Sequence, residues 1–209
     1  MDIEALRAAV REAGIDGWLL YDFRRSNPIA HRVLGLSQHA FFSRRWCYYV
    51  PADGEPTALV SAVESHVLSS LPGRQRVYRT WQEYRAFLGE ALDGARRVAM
   101  EYSPECANPY IAKVDAGTIE LVRALGPEVV STGDIAQRFE AVLTQDQIAT
   151  HRAAGAALVR AGNGLLAWLR EQLLKDADLT EYSVQHQFGR LMAAEGLAVD
   201  PDDLPLVAV

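Results

Sequence analysis

The sequence predicts a three-layer α/β domain followed by a mainly helical segment. Apolar runs of strand type alternate with stretches of helical periodicity over residues 75–143, the order typical of a sheet covered by helices on both faces. Two apolar runs joined by a turn that contains Gly and Pro, at residues 46–50 and 57–62, indicate a hairpin. From residue 144 a long helical pattern without proline takes over, which indicates a second unit.

The elements before residue 63 follow from periodicity and turn chemistry. Apolar residues at helical spacing predict a helix over residues 3–13, and Gly14 supplies its C-terminal stop. An apolar strand at 18–21 is ended by a polar turn at 24–28, where Asn27 precedes a proline. A short helix at 29–34, closing at Gly35, then leads to the hairpin.

The rest of the α/β domain continues the alternation of helices and strands. The pattern predicts helices at 63–71, 82–92, 110–125 and 134–143, and strands at 75–80, 97–101 and 128–131. Gly126 and Pro127 provide the stop of the third of these helices.

The second unit is predicted to contain two helices and one strand. Leucines recur at helical spacing over residues 145–174, and a second helix over 181–195 ends at Gly196. An acidic turn then precedes the apolar run Pro205–Val209, which we interpret as a strand without a partner in its own unit. We therefore place the domain boundary near residue 144, with an α/β domain at 1–143 and an incomplete second domain at 144–209.

Composition excludes several classes of protein. A formal net charge of −6 argues against a nucleic-acid-binding protein, which needs a basic face to displace counterions from phosphates. No apolar run approaches the length of a membrane-spanning helix. The two cysteines, Cys47 and Cys106, are too few for a disulfide framework and suit a reducing compartment, so we expect a cytoplasmic protein.

The common catalytic motifs are absent from the sequence. It contains no G-x-S-x-G, H-E-x-x-H, P-loop or paired C-x-x-C pattern. Its five histidines are scattered and lack ligand spacing, and His186 lies on a helix whose neighbours indicate a solvated face. We interpret Asp200, Asp202 and Asp203 as a solvated turn rather than a cation site, because a metal centre also needs rigid ligands from elsewhere.

A basic and aromatic stretch is the main candidate for binding. Phe41, Phe42, Arg44 and Arg45 place two guanidinium groups among aromatic rings, and a guanidinium binds a carboxylate in bidentate fashion. The alternative is a strand edge with the aromatic residues inward and the arginines outward. Asn27, beside Arg24 and Arg25, forms a second polar loop of the same kind.

Four stretches carry a resemblance to a known family: "WLLYDFRRSNP" at 18–28, "RRWCYYVPADGEP" at 44–56, "RVAMEYSPECANPYIAKVDAGTIELVRALG" at 97–126 and "VVSTGDIAQRFEAVLTQDQIATHRAAG" at 129–155. In this order they resemble the N-terminal half of Xaa-Pro peptidases of the pita-bread metallopeptidase family, the group of aminopeptidase P, prolidase and creatinase. The resemblance implies a creatinase-type N-terminal domain, with a mixed sheet flanked by helices. It also implies that "LPLVAV" corresponds to the first strand of the pita-bread domain.

The resemblance further implies a chemistry and a set of partners. Family members use two divalent ions, usually manganese, cobalt or zinc, whose ligands all follow that first strand, so no metal ligand can be assigned here. N-terminal domains of the family contribute to dimers and shape the substrate entrance. We expect a homodimer or a complementary catalytic half as partner, and assign Asn27, Phe41, Phe42, Arg44 and Arg45 to the substrate entrance or a partner contact. A peptide substrate is expected only together with the catalytic half.

The sequence is compatible with two functional hypotheses. The first is the N-terminal part of an Xaa-Pro peptidase, as a truncated or split gene product or an incomplete reading frame, inactive alone because the metal site lies elsewhere. The second is a stand-alone, non-catalytic module that dimerises or binds a partner through its helices and terminal strand. Binding of a small ligand at the α/β sheet is a third, weaker possibility without a sequence fingerprint.

Overall fold

The computed structural model describes residues 2–37, 39–175 and 178–208. The helices are α1 (Ile3–Glu12), α2 (Pro28–Val33), α3 (Trp81–Ala91), α4 (Ala116–Ala124), α5 (Gly133–Glu140), α6 (Gln145–Leu174) and α7 (Glu181–Ala194). The strands are β1 (Gly17–Asp22), β2 (Trp46–Pro51), β3 (Thr57–Ser61), β4 (Arg74–Tyr78), β5 (Arg97–Met100) and β6 (Glu128–Ser131). Contacts divide these residues into two units, one ending at Val142 and the other beginning at Leu143.

The first unit is built on one mixed sheet of six strands in the order β4-β3-β2-β1-β5-β6. The predicted hairpin forms as the antiparallel pair β2–β3, and β2 also pairs antiparallel with β1. The pairs β1–β5, β5–β6 and β3–β4 are parallel. The carboxyl ends of β1, β5 and β6 therefore lie side by side at one edge of the sheet.

Alternation along β1 divides the core between the two faces of the sheet. Trp18 and Leu20 point to the face covered by α1, α2 and α5. Leu19 and Tyr21 point to the face covered by α3 and α4, where Cys47 is buried beside Tyr84. Because every β1 residue is buried, both faces are covered, and the predicted three-layer α/β architecture is confirmed.

Two predicted helices differ from the structure. Residues 63–71 do not form a helix: a single 3₁₀ turn, Ala62–Glu64, is followed by further turns. Serine side chains compete for the backbone there, as in the bond from Ser69 Oγ to the carbonyl of His66 (2.8 Å). The helix predicted at 110–125 begins only at Ala116, because Asp115 caps it by accepting from the N–H of Thr118 (2.9 Å).

The second unit consists of two helices that pack against each other. Arg160 of α6 donates from Nε to Glu195, just after α7 (2.7 Å). The strand predicted at Pro205–Val209 is not formed by residues 205–208, and Val209 lies outside the described residues. The segment instead lies along α7, where Gln185 Nε2 donates to the carbonyl of Pro205 (3.0 Å). The described part of this unit contains no strand with which the segment could pair.

Candidate functional site

A cleft of about 430 Å³ opens at the surface of the first unit and contains much of the predicted basic and aromatic stretch. We call it the arginine cleft. It is lined by Phe23, Arg24, Arg25, His39, Ala40, Phe41, Phe42, Ser43 and Arg44. One wall follows β1, and the other precedes β2.

The first wall is a strained turn held by a buried carboxylate. Arg24 and Arg25 both have positive φ angles, 56° and 63°. This left-handed backbone conformation is unfavourable in free energy for any residue other than glycine. Asp22, at the end of β1, is completely buried and accepts from the backbone N–H of Arg25 (3.0 Å) and of Asn27 (2.9 Å). These two bonds hold the turn in the conformation that presents the arginines.

The second wall is held in the same way by Glu64. Its buried carboxylate accepts from the N–H of Ser43 and of Arg44, both at 3.0 Å, and from the Ser43 hydroxyl. Burial opposes ionisation, but these bonds outweigh it and lower the pKa of Glu64 below its ordinary value. Arg25 connects the two walls, because its Nη1 donates to the carbonyl of Ala40 (2.6 Å).

The cleft presents unpaired positive charge next to exposed aromatic surface. Arg24 and Arg44 are exposed, and neither guanidinium makes an ion pair with a carboxylate of the described chain. Phe41 is 77% exposed, which is unusual for a large apolar side chain. Such an arrangement can bind a carboxylate together with an apolar group.

The structure brings three of the five predicted site residues together. Phe41, Phe42 and Arg44 line the arginine cleft, although Phe42 is buried with its ring edge-on to His31 (centroids 4.7 Å apart). Arg45 points elsewhere, and its guanidinium lies over the ring of Trp81 at 4.9 Å from the centroid. Asn27 is completely buried and lies outside the cleft lining.

Asn27 belongs instead to a buried polar cluster at the carboxyl ends of β1 and β5. Its Nδ2 donates to Glu101 Oε2 (2.6 Å) and to the carbonyl of Tyr21 (2.8 Å), and its Oδ1 caps α2 by accepting from the N–H of Ala30 (3.1 Å). Glu101 Oε1 accepts from Trp18 Nε1 (2.7 Å). Burial raises the pKa of Glu101 to about 7, against the opposing effect of these two bonds.

A second buried contact joins Asp22 to His31. His31 Nε2 lies 3.2 Å from Asp22 Oδ2, close enough for an ion pair when the imidazole is protonated. The angles do not make this contact a hydrogen bond, so the geometry supports proximity rather than a directed bond. The buried Trp46 Nε1 also has no hydrogen-bond partner in the described part of the chain.

Sequence reasoning missed Asp22, Glu64 and Glu101 as residues that build the site. A signal was present for two of them, because Asp22 and Glu101 directly follow apolar runs that read as strands. Acidic residues at the carboxyl ends of neighbouring parallel strands meet at one edge of the sheet. The role of Glu64 had no such signal, since its segment was predicted as a helix.

The described residues do not fit a divalent-metal centre. Within them, no three His, Cys, Asp or Glu side chains come together closely enough to hold an ion. Asp200 accepts from the N–H of Asp202 (3.0 Å) within an exposed turn, and His186 Nδ1 contacts the carbonyl of Tyr182 (2.9 Å).

None of the helices in the described part of the chain combines the length and apolarity needed to cross a bilayer.

Comparison with solved structures shows the fold of dipeptidases, an Xaa-Pro dipeptidase among them. The dipeptidase PepE from Mycobacterium ulcerans aligns with a TM-score of 0.63 at 22% identity, over 92% of this chain and 48% of PepE. A dipeptidase from Pyrococcus horikoshii OT3 aligns at a TM-score of 0.53 and 15% identity, over 93% and 50% of the two chains. The N-terminal domain of an Xaa-Pro dipeptidase from Lactobacillus brevis aligns at 0.52 and 12% identity, over 66% of this chain and 99% of that domain.

The chain spans about half the length of the first two structures. No protein-family model matches the sequence, and no curated protein matches it either. The resemblance is confirmed at the level of the fold, which this chain shares with PepE and with the N-terminal domain of the Lactobacillus brevis Xaa-Pro dipeptidase.

Proposed function

We propose that this chain is the N-terminal part of an Xaa-Pro dipeptidase-like metallopeptidase of the cytoplasm. In this proposal the α/β domain supports a dimer, and the arginine cleft shapes the substrate entrance or contacts a partner. The observation that carries the proposal is the alignment with PepE over 92% of this chain, which extends through both units.

The properties of the arginine cleft support its part in the proposal. Peptides carry a C-terminal carboxylate and apolar side chains, and the cleft offers unpaired guanidinium groups beside exposed Phe41. Strain at Arg24 and Arg25 is maintained by buried Asp22, and strained backbone of this kind is concentrated at functional sites.

Catalysis would depend on groups outside the described residues. In the family, two divalent ions activate water and polarise the scissile carbonyl. The resemblance assigns the ligands of these ions to positions after the segment that "LPLVAV" resembles. We therefore expect the 209-residue chain by itself to be inactive.

A direct assay tests this expectation. The purified chain, with its mass confirmed, is incubated with an Xaa-Pro dipeptide and Mn²⁺, Co²⁺ or Zn²⁺, and proline release is measured beside a metal-free control. We expect no release above that control. Metal-dependent turnover would contradict the assignment of the metal site to another part of the protein, and sequencing the coding DNA past Val209 tests whether a catalytic half exists.

Analytical ultracentrifugation tests the dimer and the contact role of the cleft. We expect a dimer, and we expect the double substitution of Arg24 and Arg44 by alanine to weaken it at least tenfold, since charge-assisted bonds are among the stronger interface contacts. Arg85→Ala, at an exposed position of α3, is the matched control. A monomeric chain would refute the dimer, and a dimer unaffected by the double substitution would leave the cleft only its role at the entrance.

The second unit favours one alternative, a stand-alone module that binds a partner. Several large apolar side chains of α6 are exposed, among them Val159, Leu166 and Leu174. Exposed apolar surface of this kind is typical of protein interaction sites. This alternative predicts the same inactive chain but requires no catalytic half in the coding sequence.

A further inference from the structure

A second cavity, separate from the arginine cleft, lies in the first unit outside the carboxyl ends of β1, β5 and β6. Its volume is about 360 Å³, within the range of small-molecule sites. It is lined by the start of α2, the loop after β5 and the helix α5. We call it the switch-point cavity, because the chain direction reverses between the neighbouring strands there.

The direction of the connections explains why a cavity opens here. α2 and α5, which follow β1 and β6, pack on one face of the sheet, as the burial of Ile29 and Ala136 in the same core shows. α4, which follows β5, packs on the opposite face. After β5 the chain therefore turns to one face of the sheet, whereas after β1 and β6 it turns to the other face. Ligands of α/β proteins bind in the crevice that such a reversal creates.

The lining combines an apolar floor with a small number of polar groups. Ile29, Ile111 and Ala136 are buried and form the floor. Asn108 and Gln137 add amide groups at the rim. This combination is typical of sites for small organic molecules.

Lys113 supplies the positive charge of the cavity. It is half-buried, and its ammonium group forms no ion pair with any carboxylate in the described ranges. Its backbone is held rigidly, because the N–H groups of Lys113 and Val114 both donate to the carbonyl of Glu101, at 2.9 and 3.1 Å. The other cation of the lining, Arg32, is neutralised by Glu140, to which its Nε donates at 2.8 and 2.9 Å.

We propose that the switch-point cavity binds a small monocarboxylate with a compact apolar group, with Lys113 pairing with the carboxylate and the apolar group lying on Ile29, Ile111 and Ala136. One free cation over an apolar floor suits a single negative charge better than the multiple charge of a phosphate group. This proposal does not depend on the proposed function, because it rests on the first unit alone.

The experiment uses N-acetyl-leucine as the probe and N-acetyl-leucinamide as its uncharged counterpart. Binding to the full chain is followed in two-dimensional ¹⁵N–¹H NMR spectra. We expect N-acetyl-leucine to shift the backbone amide signals of Ile111, Lys113 and Gly133 in a saturable way. N-acetyl-leucinamide should bind at least tenfold more weakly. Equal binding of the two probes, or no saturable shift with N-acetyl-leucine, would overturn the proposal, as would inorganic phosphate binding equally well.

Lysine substitutions and chemical labelling provide an independent measurement. The chain has only two lysines, Lys113 and Lys175, so Lys175 is a natural internal control. We expect Lys113→Met to weaken binding at least tenfold and Lys113→Arg to retain it, with Lys175→Met unchanged. N-acetyl-leucine should slow the chemical acetylation of Lys113 but not that of Lys175. Equal protection of the two lysines from acetylation would refute the role of Lys113. Unchanged binding of N-acetyl-leucine by Lys113→Met, with an unchanged melting temperature, would refute it as well.

Discussion

Single residues at the carboxyl edge of the sheet have properties that their type alone does not give. Glu101 is an acidic residue in the sequence, yet its carboxyl group is completely buried and its pKa is raised to about 7. Arginine is usually exposed on protein surfaces, yet the guanidinium group of Arg45 packs over the ring of Trp81. Both properties come from neighbours that are distant in sequence.

Glu101 gives a prediction on the pH dependence of stability. Its folded-state pKa lies above its ordinary value of 4.5, so the folded state binds the proton more tightly than the unfolded state. The stability from this group is complete below pH 4.5 and is lost as the pH rises through about 7. Since each pKa unit corresponds to ~1.4 kcal/mol, the loss is about 3 kcal/mol.

Glu101→Gln tests this prediction by urea denaturation at several pH values. Glutamine has one carbonyl oxygen for the two donors, Trp18 and Asn27, so the variant should be less stable than the parent at pH 5. The difference should shrink by about 3 kcal/mol at pH 8, where the parent contains the buried charge. Glu120→Gln, at an exposed position, should differ from the parent in free energy of unfolding by the same amount at every pH. If the difference between Glu101→Gln and the parent were also independent of pH, the prediction would be contradicted.

At the scale of elements, the turn between β1 and α2 depends on Asp22. Polar residues around a proline predicted a turn here, but not its two consecutive left-handed residues. That conformation exists because the Asp22 carboxylate accepts from two N–H groups of the turn. Elsewhere local pattern was misleading: residues 63–71 have helical periodicity but form turns, since Glu64 binds the segment before β2.

Asp22→Ala should destabilise the first unit and loosen the turn. The substitution leaves the buried N–H of Asn27 and the partly buried N–H of Arg25 without an acceptor, which should cost about 2–4 kcal/mol of the free energy of unfolding. Chemical denaturation measures the loss, and hydrogen exchange of the two amides should accelerate. Asp93→Ala, at an exposed position after α3, should change neither quantity. Unchanged exchange in Asp22→Ala would show that the turn does not need the carboxylate.

At the scale of the whole molecule, the chain consists of two units of different construction. The first has a closed core on both faces of a six-stranded sheet. The second has two helices and a terminal segment, and most of its long helix is exposed or half-buried in the described residues. A core of the first kind can fold independently, whereas a helix pair of the second kind has little apolar burial.

We therefore predict that a fragment of residues 1–142 folds without the second unit. The size of the solved Lactobacillus brevis N-terminal domain supports the expectation, since 99% of that domain aligns with 66% of this chain. The fragment should unfold cooperatively, with a near-ultraviolet circular dichroism spectrum arising from buried Trp18 and Trp46. The matching fragment 143–209 should show helix content but no cooperative transition. A fragment 1–142 without cooperative unfolding would contradict the independence of the first unit.

The sequence by itself determined the class of the fold and most of its elements, because hydrophobic periodicity and turn residues act over short distances. It also located the arginine cleft in part, through Phe41, Phe42 and Arg44. Only the tertiary structure decided where the side chains meet: Asn27 in a buried cluster with Glu101, Arg45 on Trp81, and Lys113 in a cavity beside α5. These contacts join residues far apart along the chain, and the order and direction of strands that bring them together depend on packing of the whole sheet.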